Sequence, residues 1–256
     1  MPVPEVDDRS IISTSHQAAP DHPMTGHPLV AFVPGLGLDA DEWQAVLAGL
    51  TGSSVVVLLP SLGKPAPRPA DLRAEAHASR LLESLPTGTP TILVGHSASC
   101  PVVVNAAARS DDVVGLVLVG PVTDPAAQSW PRMLRQWART ATRERPSEAA
   151  TLARQYRRTG PISMLRGMNA VRAFRTDLAL KALTLPVEIV RGRKDRIATQ
   201  DWCTELTRTS NGHLTTIDGA AHMVPLTHPE AVVAAVDRVW AATSRQTQPV
   251  VTSTPA

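Results

Sequence analysis

The sequence predicts an α/β fold: a mostly parallel central sheet flanked by helices and interrupted by a helical insertion. Three observations predict it. Short apolar runs at 29–33, 54–59, 91–94, 114–119, 187–190 and 213–217 are separated by stretches of helical periodicity or loop, the pattern of strands alternating with helices. The run Thr91-Ile92-Leu93-Val94 ends abruptly in Gly95-His96-Ser97-Ala98-Ser99 and passes at once into a helix-like stretch, so a serine stands at the apex of a sharp strand-to-helix turn. Between 122 and 184 the alternation stops, and about 60 residues of helical pattern intervene, far more than a strand-to-strand connection needs.

Taken in order, residues 1–28 show weak patterning, and Ile11-Ile12-Ser13-Thr14 is a poor strand candidate. The continuous apolar run 29–33 reads as a buried strand and ends in Pro34-Gly35-Leu36-Gly37, a tight turn. Residues 39–42 resemble a capping arrangement that starts a helix with Trp43, Val46 and Leu47 on its apolar side. A strand over 54–59 and a proline-rich loop over 60–69 follow, then a helix over 71–85 with Leu72, Ala76, Ser79 and Leu82 facing inward. Pro101 suits the first turn of the helix after the serine, where its missing N–H costs no hydrogen bond.

Within the insertion, Trp130, Leu134, Trp137 and Ala141 recur at helical spacing, while Arg132, Arg135, Arg139 and Arg143 run down another side. Met164 and Met168 lie one turn apart. After it, the strand at 187–190 runs into Gly192-Arg193-Lys194-Asp195, and the strand at 213–217 leads to Asp218-Gly219-Ala220-Ala221-His222-Met223. Asp201 reads as part of the helix after Asp195, and Asp218 as a turn former. Thr227-His228-Pro229-Glu230 reads as a capping box opening the last helix, which makes His228 part of that helix's architecture. The tail over 245–256, rich in Thr, Ser, Gln and Pro, is expected to be disordered.

A turn this sharp strains the backbone of Ser97 and demands small neighbours two positions away, which Gly95 and Ser99 supply. The first N–H groups of the following helix, beginning at Ala98, lack partners in that helix and point toward whatever Ser97 attacks. Alone, these five residues also fit an ordinary loop in which Ser97 caps the helix. Serine is a weak nucleophile that needs a base oriented by an acid, and Asp195 and His222 follow in the order Ser, Asp, His, both at carboxyl ends of predicted parallel strands.

With these segments the chain resembles the α/β-hydrolase superfamily from about residue 29 to about residue 245. The resemblance implies the α/β-hydrolase fold with a core over 29–121 and 185–244 and a helical lid over 122–184. By position it makes Ser97 the nucleophile, His222 the general base and then acid, and Asp195 the orienting carboxylate, with backbone N–H groups of Ala98 and Leu36 as the oxyanion hole. Where members often carry His-Gly, this chain has Pro34-Gly35, which leaves the backbone donor in place. Some relatives take the acid from the strand before the lid, where Asp124 stands; Asp195 lies in the stronger local match.

The implied activity is cleavage of an ester, lactone or thioester with an apolar acyl part, with no cofactor and no metal. The family also holds lyases, C–C hydrolases, perhydrolases and ligand receptors, so the reaction itself stays open. Trp130, Trp137, Met164, Met168 and Met223 are candidates for lining the substrate pocket; for the lid residues the competing role is packing the lid on the core. His96, beside the nucleophile, reads as a structural or pocket-wall residue.

Composition narrows the classes. At 256 residues and 43% hydrophobic content the chain can bury a sizeable core, and no apolar segment is long enough to span a membrane. Residues 1–8 are acidic and proline-bearing rather than basic and then apolar, which makes the cytoplasm the default location. Cys100 and Cys203 form no disulfide framework and have no metal-ligand spacing, so buried, inert thiols are expected. Residues 122–184 hold 12 of the 25 Lys and Arg but only 4 of the 23 acidic residues, a balance of +8 that the whole-chain value of +2 hides. This is either a solvated basic face or an attraction for an anionic small-molecule substrate, carrier or surface. No nucleic-acid-binding module accompanies it, and the oligomeric state is not legible.

Overall fold

The computed structural model describes residues 11–13 and 27–246. Its central sheet contains β1 (Ile11–Ser13), β2 (Leu29–Val33), β3 (Ser54–Val57), β6 (Thr91–His96), β7 (Val113–Val119), β8 (Val187–Gly192) and β9 (His213–Ile217), in the order β1-β3-β2-β6-β7-β8-β9. A small parallel pair, β4 (Leu59–Pro60) and β5 (Gly63–Lys64), follows β3. Every neighbouring pair in the central sheet is parallel except β1 with β3. The register aligns the carboxyl ends: Val33 pairs with Gly95, His96 with Val119 and Gly192 with Ile217. In an open parallel sheet this is the edge where a site forms.

Side chains alternate across the sheet, so β2 sends Ala31 and Val33 to one core and Val30 and Phe32 to the other. One face is covered by α2 (Ala74–Glu83), α3 (Cys100–Ala107) and α8 (Gln200–Ser210). The opposite face is covered by α1 (Gln44–Gly49) and α10 (Pro229–Gln246). Between β7 and β8 lie α4 (Trp130–Ala141), α5 (Ala149–Thr159), α6 (Pro161–Val171) and α7 (Thr176–Lys181), and α9 (Val224–Thr227) precedes α10.

Polar contacts join this insertion to the core. Gln155 Oε1 accepts from the Asp39 N–H at 3.0 Å, Thr159 donates to the Gly37 carbonyl at 3.2 Å, and Arg154 and Arg158 pair with Asp41 and Asp39 at 2.8 and 3.0 Å. Arg166 donates to the carbonyls of Ala66, Pro67 and Ala70.

Five expectations need correction. Ile11–Ser13 does form a strand, antiparallel on the sheet edge, in register with Val55–Val57 of β3. The helix expected over 71–85 starts at Ala74, since the Asp71 carboxylate accepts from the Arg73 N–H and holds the chain extended; this turns the buried stripe to Ala74, His77, Ala78 and Leu81. The strand expected over 54–59 ends at Val57, and Leu59 turns away to pair with β5. Thr227 is no cap for α10: it closes α9, and its hydroxyl donates to the Met223 carbonyl. The last helix continues to Gln246, two residues into the segment expected to be a tail, and the rest of that segment lies outside the described residues.

Candidate active site

The site is built on the turn from β6 into α3. Ser97 has φ 56°, a left-handed conformation that a non-glycine residue adopts only under constraint. A Cβ on Gly95 would lie 2.9 Å from Val103 and 3.1 Å from the Ser99 carbonyl, so only glycine fits there. Ser99, at the other close approach, contributes more than small size: its hydroxyl accepts from the His96 N–H at 2.8 Å and lies 2.8 Å from the Val33 carbonyl as donor. The elbow is thereby tied to β2.

His222 comes from the loop after β9 and Asp195 from the loop after β8. His222 Nε2 lies 2.9 Å from Ser97 Oγ, and its Nδ1 lies 2.7 Å from Asp195 Oδ2. The other oxygen of Asp195 accepts from the N–H groups of Ile197 and Ala198 at 2.7 and 3.1 Å. Buried Arg191 steadies this loop by donating to the carbonyls of Asp195 and Ala198. Asp124 is not brought to the imidazole; its carboxylate accepts from the Ala126 N–H in its own short turn. Burial opposes charge on His222, but the Asp195 carboxylate and its hydrogen bond, aided by Glu144 and Glu42, outweigh it and raise the imidazole pKa above its ordinary 6.5.

Ala98 is the second residue of the turn at Ser97–Ser99, so its N–H has no acceptor inside that turn. In the loop after β2, Gly35 N–H is taken by Glu42, Gly37 N–H by the Ser61 carbonyl and Leu38 N–H by the Gly35 carbonyl. Among the described residues no acceptor is assigned to the N–H of Leu36.

Beneath this loop lies an unforeseen pair. Glu42 and His96 are both fully buried, in contact through Glu42 Oε1 and His96 Nδ1, while His96 Nε2 lies 3.2 Å from the His222 carbonyl. Because a carbonyl only accepts, His96 Nε2 carries a proton. One carboxylate thus touches the loop of Gly35 and the residue next to Ser97. The isolated Glu in a capping pattern carried no signal of this.

Above Ser97 opens a cavity of about 330 Å³, walled mostly by apolar side chains. Trp130, Trp137, Met164, Met168 and Met223 all line it, joined by Leu36, Met133, Leu134 and Tyr156. Leu134 and Trp137 are 58% and 53% exposed, so they border the cavity rather than pack against the core. Burial pushes the Tyr156 hydroxyl up to about 12. Cys100 and Cys203 are buried, with burial raising both thiols, Cys203 to about 12. Among the described residues no cluster of His, Cys, Asp or Glu could hold a metal ion, and no helix is long and apolar enough to cross a membrane.

A mostly parallel sheet with a strained serine between β6 and α3, an Asp after β8 and a His after β9 has the architecture of an α/β hydrolase. The model of the Alpha/beta hydrolase family matches residues 30–235, and the chain belongs to that family. No curated protein sequence matches the chain. Solved structures resemble it at low identity. MenH from S. aureus is 13% identical with a TM-score of 0.71, covering 92% of this chain and 99% of that one. A thermophilic esterase is 20% identical with a TM-score of 0.67, covering 84% and 91%. Est816, an N-acyl homoserine lactone degrading enzyme, is 16% identical with a TM-score of 0.67, covering 89% and 96%.

Proposed function

We propose that this protein is a lidded serine hydrolase that cleaves an ester, lactone or thioester with an apolar acyl part. The observation that carries the reading is the relay from Ser97 Oγ through His222 to Asp195 at 2.9 and 2.7 Å, on a serine held in a strained turn. Ser97 Oγ attacks the carbonyl carbon as its proton passes to His222 Nε2. The oxyanion accepts from the N–H groups of Ala98 and Leu36, and Asp195 holds the imidazolium. Collapse breaks the acyl bond, and the departing oxygen or sulfur takes the proton from His222. Water then attacks the acyl-enzyme, giving its proton to Nε2, and the acid leaves as Ser97 is restored. The apolar cavity wall supports an apolar acyl group, and the named activities of the esterase and lactone-degrading neighbours are in keeping with the bond type.

The test combines a fluorophosphonate probe with chromogenic esters of increasing acyl length, using Ser97→Ala as control. Labelling at Ser97 with fast turnover supports the reading. Labelling without turnover on any ester points instead to lyase or receptor-like use of the same three residues, and absence of labelling overturns an activated serine.

A further inference from the structure

We infer that the C-terminal end of α4 and the turn after it form a clamp that positions the Asp195–His222 pair, with Thr140 and Glu144 as positioning residues. The inference rests on the hydrolase reading above. The two loops that carry the acid and the imidazole grow from core strands, yet each has backbone N–H groups held by a side chain of the insertion. Thr140, buried, accepts through Oγ1 from the N–H of Arg196 at 3.0 Å, immediately after Asp195. Glu144, one turn further along, accepts through a single oxygen from the N–H groups of His222 at 2.7 Å and Met223 at 3.2 Å.

The peptide of His222 is therefore held on two sides. The core grips its carbonyl through His96 Nε2, and the insertion grips its N–H through a carboxylate, the stronger kind of acceptor. Losing one grip leaves the loop, with its run of Gly219, Ala220 and Ala221, free to shift the ring. A displacement of about 1 Å is enough to cost on the order of 100-fold in rate.

Glu144 also acts through its charge. The groups that face His222 are Asp195 from the acid loop, Glu144 from the insertion, and Glu42 and His96 from below. Glu144 is itself partly buried, and desolvation raises its carboxyl above the ordinary range, opposed by the two N–H bonds. A purely structural loop staple would have no reason to influence the titration of the imidazole.

The test uses the full chain with a short chromogenic ester, comparing wild type with Glu144→Ala, Glu144→Gln and Ser97→Ala. Glu144→Ala is expected to lower kcat roughly 10- to 100-fold with KM within about twofold. Glu144→Gln keeps an acceptor oxygen and should recover kcat to within about fivefold, while the acid limb of its pH–kcat/KM profile moves downward, because a negative charge beside the imidazolium is gone. Thermal melts establish that the variants fold, and if the alanine variant does not, the pH limb of the glutamine variant decides. Full kcat in Glu144→Ala together with an unmoved acid limb in Glu144→Gln overturns the clamp. If Ser97→Ala keeps wild-type activity, the hydrolase reading itself fails, a result distinct from failure of the clamp alone.

Discussion

Replacing Asp195 by Asn probes the relay at its most constrained atom. In the structure the two carboxylate oxygens are assigned different work: Oδ1 accepts from two backbone N–H groups, those of Ile197 and Ala198, and Oδ2 faces His222 Nδ1 at 2.7 Å. An asparagine must keep its oxygen on the Oδ1 side, because an amide NH2 there would confront two donors. Its NH2 then points at His222 Nδ1 and forces that nitrogen to accept. The ring proton moves to Nε2, which becomes a donor toward Ser97 and cannot take the serine proton. The expected loss in kcat is on the order of 10⁴-fold, about 5.4 kcal/mol of transition-state stabilisation. Steady-state hydrolysis of a p-nitrophenyl ester by the purified variant, with circular dichroism to verify folding, measures it. Retention of kcat within tenfold would refute the tautomer argument. In that event Asp124→Asn should show the large loss; on the present geometry it should stay within about threefold, because Asn serves as well as Asp in the turn that Asp124 caps.

Other outcomes follow from buried and exposed groups. Glu42→Ala removes the carboxylate that holds Gly35 N–H and His96, and should destabilise the fold by about 3–5 kcal/mol, read from the urea unfolding midpoint. Burial lowers His77 to about 4 from its ordinary 6.5, so the folded state favours the neutral ring. Stability from this site is fully present above pH 6.5 and is lost as pH falls toward 4, by about 3 kcal/mol in all; melting curves across that window should fall less steeply in His77→Leu than in wild type. Trp137→Ala, at a half-exposed side chain on the cavity border, should leave stability within about 0.5 kcal/mol. It should raise KM for long-acyl esters about fivefold, as the loss of ~1 kcal/mol of apolar contact requires.

The parallel core and the segments bearing Ser97, Asp195 and His222 were legible because each lies where an apolar run stops and small residues begin. Period and punctuation are local properties. The contest between Asp195 and Asp124 was open in the sequence, since both follow strands and both accept from their own turns; what separates them is that Asp195 Oδ2 reaches His222 Nδ1, a long-range contact. Glu42, Thr140, Glu144 and Arg191 were illegible for a common reason. Polar residues in helical or strand ends look solvated in a window of ten, and what makes each of them matter is a distant or turned-back backbone group, as with Glu144 and His222, 78 positions apart. The inner stripe expected at Leu72, Ala76, Ser79 and Leu82 moved because the helix starts at Ala74, and the fold buries His77 beside Ala74 and Ala78. Leu134 and Trp137 share a helical stripe that suits either packing or a pocket wall, and the structure puts both at the edge of a cavity.

The basic balance of the insertion takes on a different meaning once contacts are known. Arg154 and Arg158 pair with Asp41 and Asp39, Arg166 spans three core carbonyls, Arg175 pairs with Asp177, and Arg172 donates to Gln128 while lying over the Trp130 ring. Each exposed pair is worth at most about 1 kcal/mol, so their effect is orientation more than stability. Arg154 and Arg158 orient the roof of the cavity against the loop of Gly35 to Asp41, Arg166 against the loop of Ala66 to Ala70, while Thr140 and Glu144 fix its other end to the loops of Asp195 and His222. One inserted segment therefore borders the loop of Leu36, Asp195, His222 and the apolar cavity wall at once. A substitution in it that reshapes substrate choice also moves the relay, and kcat and KM should change together for roof variants that loosen these anchors but separately for wall variants such as Trp137→Ala that leave them intact.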